Sequence, residues 1–131
     1  MKKLVSILLI ATLLFASATA LAQTVDYNFE VFENDKFFAF PAVKADSEQR
    51  YYVTQKQAVI VKVYYGVRTK NDLSTRIANT ITVAANTANV KHRESYKITA
   101  NAGETYKLAT EIEQGVLWVN EVARYHGSWT P

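Results

Sequence analysis

Apolar and polar residues alternate along much of the chain beyond residue 22. In the first such stretch Val25, Tyr27, Phe29 and Val31 alternate with polar residues. A period of two is typical of a β-strand with one buried face and one face in water. The pattern therefore predicts a first strand over 25–31.

The longest alternating row runs from Ala58 to Arg68. Its apolar positions are Val59, Val61, Val63, Tyr65 and Val67. β-Branched and aromatic residues at every second position favour a long strand packed on a core. The short segment 51–53 before it is predicted as a partner strand, with one of its two tyrosines on each face.

Further strands are predicted over Lys36–Phe40, Thr80–Val83, Ser95–Ala100, Thr105–Ile112 and from Val116 toward Tyr125. Asn, Asp and Gly between them mark turns at 71–72, 101–103 and 113–115. Residues 84–89 are interpreted as a loop or strand edge. Seven or eight short antiparallel strands predict a single all-β domain, a β-sandwich of immunoglobulin-like or jelly-roll type. A small β-barrel is the alternative, because it produces the same alternation.

The first 22 residues have the pattern of a cleavable signal peptide. Lys2 and Lys3 precede an apolar run of roughly a dozen residues, which is shorter than the roughly 20 that span a bilayer. The small residues around Ala20 and Ala22 suit signal peptidase, which gives two possible cleavage sites. We expect a signal peptide over 1–22, a secreted or cell-envelope protein over 23–131, and no transmembrane segment in that mature part.

Removal of the leader changes the charge of the protein. The chain has 15 basic and 12 acidic residues, and two of the basic ones leave with the leader. A nearly neutral domain produces no strong steering field, so a nucleic-acid partner is not expected. The chain has no cysteine. Thiol chemistry and disulfides are therefore excluded, and stability must come from an aromatic-rich core.

No pattern in the sequence indicates catalysis, a metal or another cofactor. His92 and His126 are far apart and have no partner at ligand spacing. Four serines follow the leader, but none lies in a nucleophile elbow. The four glycines form no phosphate-binding loop. We therefore expect a protein that is not an enzyme and that has no metal site.

Aromatic residues outside the clearest core positions are the candidate ligand-binding residues. Tyr64 shares the mixed face of its strand with Lys62 and Arg68, while Tyr125 and Trp129 lie in the last ten residues. Aromatic rings beside hydrogen-bonding groups suit sugars, peptides and protein partners. The alternative is that these rings are part of the core.

The first functional hypothesis is a secreted, non-catalytic binding or adhesion module for a cell-surface polymer, glycan or protein. The second is a structural subunit of a surface layer or filament, in which the edge segment Lys36–Phe40 pairs with another chain. The third is a small secreted toxin or inhibitor-like factor. The sequence leaves the oligomeric state open.

Overall fold

The computed structural model describes residues 23–31, 38–113 and 123–131. Within these ranges the protein forms eight β-strands. They are β1 (Val25–Val31), β2 (Phe38–Val43), β3 (Arg50–Gln55), β4 (Val63–Thr69), β5 (Ile81–Val83), β6 (Val90–Ser95), β7 (Thr105–Ile112) and β8 (Ala123–Thr130). Residues 1–22 and the predicted strand from Val116 to residue 122 lie outside the described ranges. No helix in the described part of the chain is long and apolar enough to cross a membrane.

The strands form two antiparallel four-stranded sheets. Sheet I has the order β1-β8-β3-β6, and sheet II has the order β2-β7-β4-β5. The pairs β1·β8, β2·β7, β3·β6 and β4·β5 are nested, as if one long hairpin had been wound into two layers. The predicted β-sandwich is confirmed. Of its two predicted types, this nesting is the jelly-roll arrangement.

The alternating pattern located buried positions better than it located strands. Val59 and Val61 are buried as predicted, but β4 begins only at Val63. The backbone before it leaves the ladder, and the Val59 carbonyl accepts a hydrogen bond from the amide of Asn86 in the 84–89 loop. The interpretation of 84–89 as a loop is confirmed.

Segment 51–53 does form a strand, but β3 lies in the opposite sheet, between β8 and β6. The prediction that it pairs with the 58–68 strand is therefore wrong. Its division of two tyrosines between two faces is confirmed, since Tyr51 is buried and Tyr52 is half-buried.

The predicted strand Ser95–Ala100 is also displaced, because β6 ends at Ser95. Tyr96 and Ala100 are buried, but the latter's amide donates to the Gln49 side chain rather than to a strand. β6 itself is an edge strand with a charged sequence, so it has no apolar alternation. β2 runs through Pro41 to Val43, which an edge strand tolerates.

The interior between the sheets is rich in tyrosine. The Tyr27 hydroxyl donates to that of Tyr65 (3.0 Å), which donates to Gln55 Oε1 (2.8 Å). Gln55 Nε2 donates in turn to the Thr87 carbonyl (3.2 Å). Gly127 packs against the Tyr27 hydroxyl. A Cβ at position 127 would collide with that hydroxyl, so the hydrogen-bonded row needs a residue without a side chain there. The expectation of an aromatic-rich core is confirmed for the described residues.

One lysine is also part of the interior. Lys44 is buried, and its Nζ donates to Asp46 Oδ1 (2.9 Å) and to the Pro131 carbonyl (3.2 Å). The ammonium group therefore fixes the end of β8 to the β2–β3 connection. A buried cation is tolerated where it has such partners.

Candidate functional site

The three predicted ligand-binding residues do not form one exposed patch. Tyr125 and Trp129 are 0% and 1% exposed. β8 lies between β1 and β3, so its odd-numbered side chains point toward sheet II. Tyr125 stacks on Phe29 with ring centroids 4.8 Å apart and planes 7° apart. These two aromatic residues belong to the core, which was the alternative interpretation of their role.

Tyr64 is placed differently. It lies on the outer face of sheet II and is half-buried, whereas its neighbours Val63 and Tyr65 point inward. In the register of the sheet it lies opposite Thr82 of β5 and Glu111 of β7. Tyr64 therefore has a polar residue on one neighbouring strand and a charged residue on the other.

Glu111 receives two arginines on this outer face. Arg68 Nη2 lies 3.3 Å and Arg76 Nη2 lies 3.1 Å from Glu111 Oε1. Arg76 Nη1 also donates to the Thr80 hydroxyl (2.6 Å). The Arg76 side chain crosses Gly66, where an added Cβ would lie 3.0 Å from its Nε. The absence of a side chain at position 66 gives the arginine room to reach the carboxylate.

The arginine pair is poorly solvated and mutually repulsive. Arg68 is only 5% exposed. Burial lowers the pKa of its guanidinium, and the charge of Arg76 lowers it further, while Glu111 acts in the opposite direction. The Nε atoms of both arginines are buried and have no acceptor within the described ranges. The site therefore contains more donor capacity than its one carboxylate uses.

The connection that brings Arg76 to this face is stabilised by a carboxylate. Asp72 Oδ1 accepts hydrogen bonds from the amides of Ser74 (2.8 Å) and Thr75 (3.2 Å) and from the Ser74 hydroxyl. These bonds hold the pKa of Asp72 well below its ordinary range. The turn predicted at 71–72 is confirmed, and it positions the segment that leads to Arg76.

Sequence reasoning found Tyr64 and Arg68 on one face but did not find the cluster. Glu111 is 43 and 35 residues from the two arginines. No local motif joins these residues: the pairing of β4 with β7 brings Glu111 near Arg68, and the connection after β4 brings Arg76.

A polar cleft lies at the end of β4 and the beginning of β7. It has a volume of about 390 Å³ and is lined by Thr69, Lys70, Asn71, Glu104, Thr105 and Tyr106. Its carboxylate is partly engaged, since Glu104 accepts a hydrogen bond from the Tyr106 hydroxyl (2.8 Å).

The described residues contain no group of three or more His, Cys, Asp or Glu side chains that could hold a metal ion. His92 lies on the edge strand β6, and His126 lies on β8 opposite Asn28. Comparisons with protein-family models, with curated proteins and with solved structures gave no significant match.

Proposed function

We propose that the protein is a secreted, non-catalytic binding module for an extracellular glycan. Its binding surface is the Tyr64 face, which we define as Tyr64, Arg68, Arg76, Lys107 and Glu111 on the outside of sheet II. The observation that supports it is a half-buried tyrosine next to a carboxylate shared by two arginines. A ring beside directional hydrogen-bonding groups suits the apolar face and the hydroxyls of a sugar.

The rigidity of this surface favours binding. Tyr64 and Arg68 lie on β4, and Lys107 and Glu111 lie on the adjacent β7, so regular pairing fixes the backbone positions of these four residues, and the ion pair with Glu111 orders the Arg68 side chain. The fifth, Arg76, is held by Glu111 and Thr80. Side chains that are already ordered lose little entropy when a ligand binds.

Export is part of the proposal, and it is supported by the leader-like pattern of residues 1–22. Gln23 Oε1 accepts a hydrogen bond from the Val43 amide, and the Thr24 and Thr130 hydroxyls bond to each other. Cleavage after Ala22 would leave these contacts intact. Mass spectrometry of the protein recovered from the medium should therefore give Gln23 as the first residue. An intact Met1 would argue against a cleaved leader.

The binding surface can be tested with two matched tyrosines. Tyr52 is half-buried on the outside of sheet I, as Tyr64 is on sheet II. On an array of extracellular polysaccharides we expect the wild type and Tyr52→Ala to bind the same glycans. We expect Tyr64→Ala to lose at least about tenfold in affinity, because aromatic anchors carry much of the energy of a small interface. Absence of binding by the wild type, or loss of binding only in Tyr52→Ala, would contradict the proposal.

A subunit of a surface layer or filament is the second candidate, because β2 is a sheet edge on which Val43 is exposed. It has weaker support. Pro41 removes one backbone N–H donor from β2. β6 is also an edge, on the far side of sheet I from β1, and it carries Lys91 and Arg93. Proline and charged side chains on an edge strand both hinder strand addition. Size-exclusion chromatography and negative-stain microscopy at high concentration test it. Regular polymers would favour this second function, whereas a persistent monomer would exclude it.

A further inference from the structure

The charges on the Tyr64 face do not balance. Arg68, Arg76 and Lys107 provide three cations, since Lys107 lies opposite Arg68 on the outside of β7. Glu111 is the only carboxylate of the defined face. The chain beyond the predicted leader has 13 basic and 12 acidic residues. The defined face therefore carries two more positive than negative charges, and Asp72, which lies outside it, also acts on Arg68.

Hydrogen bonding on the face is also incomplete. A guanidinium has five N–H donors. Arg68 gives one bond to Glu111, and Arg76 gives one to Glu111 and one to Thr80. Both Nε atoms lack an acceptor in the part of the chain that the structure describes. Desolvated cations are costly unless their donors are satisfied, so a second anion near them would be stabilised.

A ligand can reach this cluster from solvent. The side chains of Arg76 and Glu111 are 33% and 42% exposed, and Arg68 lies beneath them. An approaching anion would contact the guanidinium of Arg76 first. The positive charge of Arg68 beneath it would also attract the anion. Tyr64 lies opposite Glu111 on the neighbouring strand, within reach of the sugar that carries the anion.

We propose that the Tyr64 face recognises an acidic polysaccharide through a carboxylate or sulfate group bound by Arg76 above Arg68. This inference rests on the proposed glycan-binding function and names the ligand class. Glu111 then acts as an internal competitor, because its carboxylate occupies donors that the ligand's anion can use. Planar guanidinium groups bind such oxyanions with two parallel hydrogen bonds.

Because Glu111 competes with the ligand, replacing it should increase the affinity for an acidic polymer and not decrease it. We expect Glu111→Gln to raise the affinity for an acidic polymer by about threefold or more, because it removes the negative charge that attracts both arginines and repels the ligand, while Thr80 still holds Arg76. We expect Arg76→Gln to lower that affinity by about tenfold or more. Lys56→Gln is the matched control, because Lys56 is an exposed cation paired with Asp26 on sheet I. Its affinity should equal that of the wild type.

Affinities are measured by affinity electrophoresis in polygalacturonate, in dextran sulfate and in neutral dextran. Retardation by polygalacturonate identifies a carboxylate ligand, and retardation by dextran sulfate identifies a sulfate ligand. Neutral dextran should retard the protein at least tenfold less. Raising the NaCl concentration from 50 to 300 mM should weaken wild-type binding, which tests the ionic contribution without any variant.

Two outcomes would overturn the inference. One is equal binding of neutral and acidic polymers with no salt dependence. The other is a loss of affinity in Glu111→Gln with an unchanged circular dichroism spectrum, which would make Glu111 an acceptor for sugar hydroxyls. In either case a loss of binding in Tyr64→Ala would still support the glycan-binding function. If Tyr64→Ala binds as the wild type does, the proposed function itself fails.

Discussion

Tyr65 is the central residue of the buried hydrogen-bond chain, and Tyr65→Phe should destabilise the protein strongly. The change removes one oxygen and keeps the ring. The Tyr27 hydroxyl then loses its acceptor at 3.0 Å, and Gln55 Oε1 loses its donor at 2.8 Å. A buried polar group without a partner costs about 1–3 kcal/mol. With two such groups, the free energy of unfolding should fall by about 2–6 kcal/mol, or Tm by roughly 8–24 °C.

Tyr125→Phe is the matched control. Tyr125 is as deeply buried as Tyr65, but its hydroxyl has no partner among residues 23–31, 38–113 and 123–131. Removing an unsatisfied hydroxyl should leave the stability unchanged or raise it. Urea unfolding followed by circular dichroism measures both variants. Equal losses in the two variants would refute the reasoning, because the cost would then come from packing and not from the hydrogen bonds.

Three further predictions concern the same interior. Burial raises the pKa of Tyr27 from 10.0 to about 12, so stability is complete below pH 10 and declines as pH rises toward 12. Tyr27 alone should cost about 1 kcal/mol at pH 11, and urea midpoints that are equal at pH 8 and pH 11 would contradict this. Trp129→Ala should lower the free energy of unfolding by about 3–5 kcal/mol, whereas an unchanged Tm would place the ring at the surface. Asp46→Asn leaves the buried Lys44 without its carboxylate and should cost about 2 kcal/mol. Asp26→Asn, which breaks an exposed pair, should change the melting curve little.

The sequence predicted the fold class because inward positions repeat with a period of two. The sequence predicted β1 and β7 and identified which face of each points inward. Their inward-facing positions carry only apolar residues and one threonine. β6 was not recognised, because its residues are exposed or at most half-buried, and such an edge strand needs no apolar row. The sheet order could not be predicted, since alternation describes the faces of a strand and not its neighbours.

The candidate site was predictable only in part. Tyr64 and Arg68 are four residues apart on one strand. Because side chains of a strand alternate between its faces, the sequence already places both on the same face. Arg76 and Glu111 join them through a connection and through a distant strand, and local sequence carries no information about either. Tyr125 and Trp129 were candidate ligand-binding residues because they are aromatic residues outside the clearest core positions, and a role in the core was the stated alternative. Here β8 is a central strand of sheet I, which buries both rings.

The outer face of sheet II is proposed to hold the anionic group of a glycan. The most direct measurement is a titration of the ¹⁵N-labelled protein with a galacturonate oligosaccharide, followed by backbone and arginine Nε–H chemical shifts. We expect the largest changes at Tyr64, Arg68, Arg76 and Glu111. Changes centred on the outside of sheet I around Tyr52, or no changes at millimolar oligosaccharide, would contradict it.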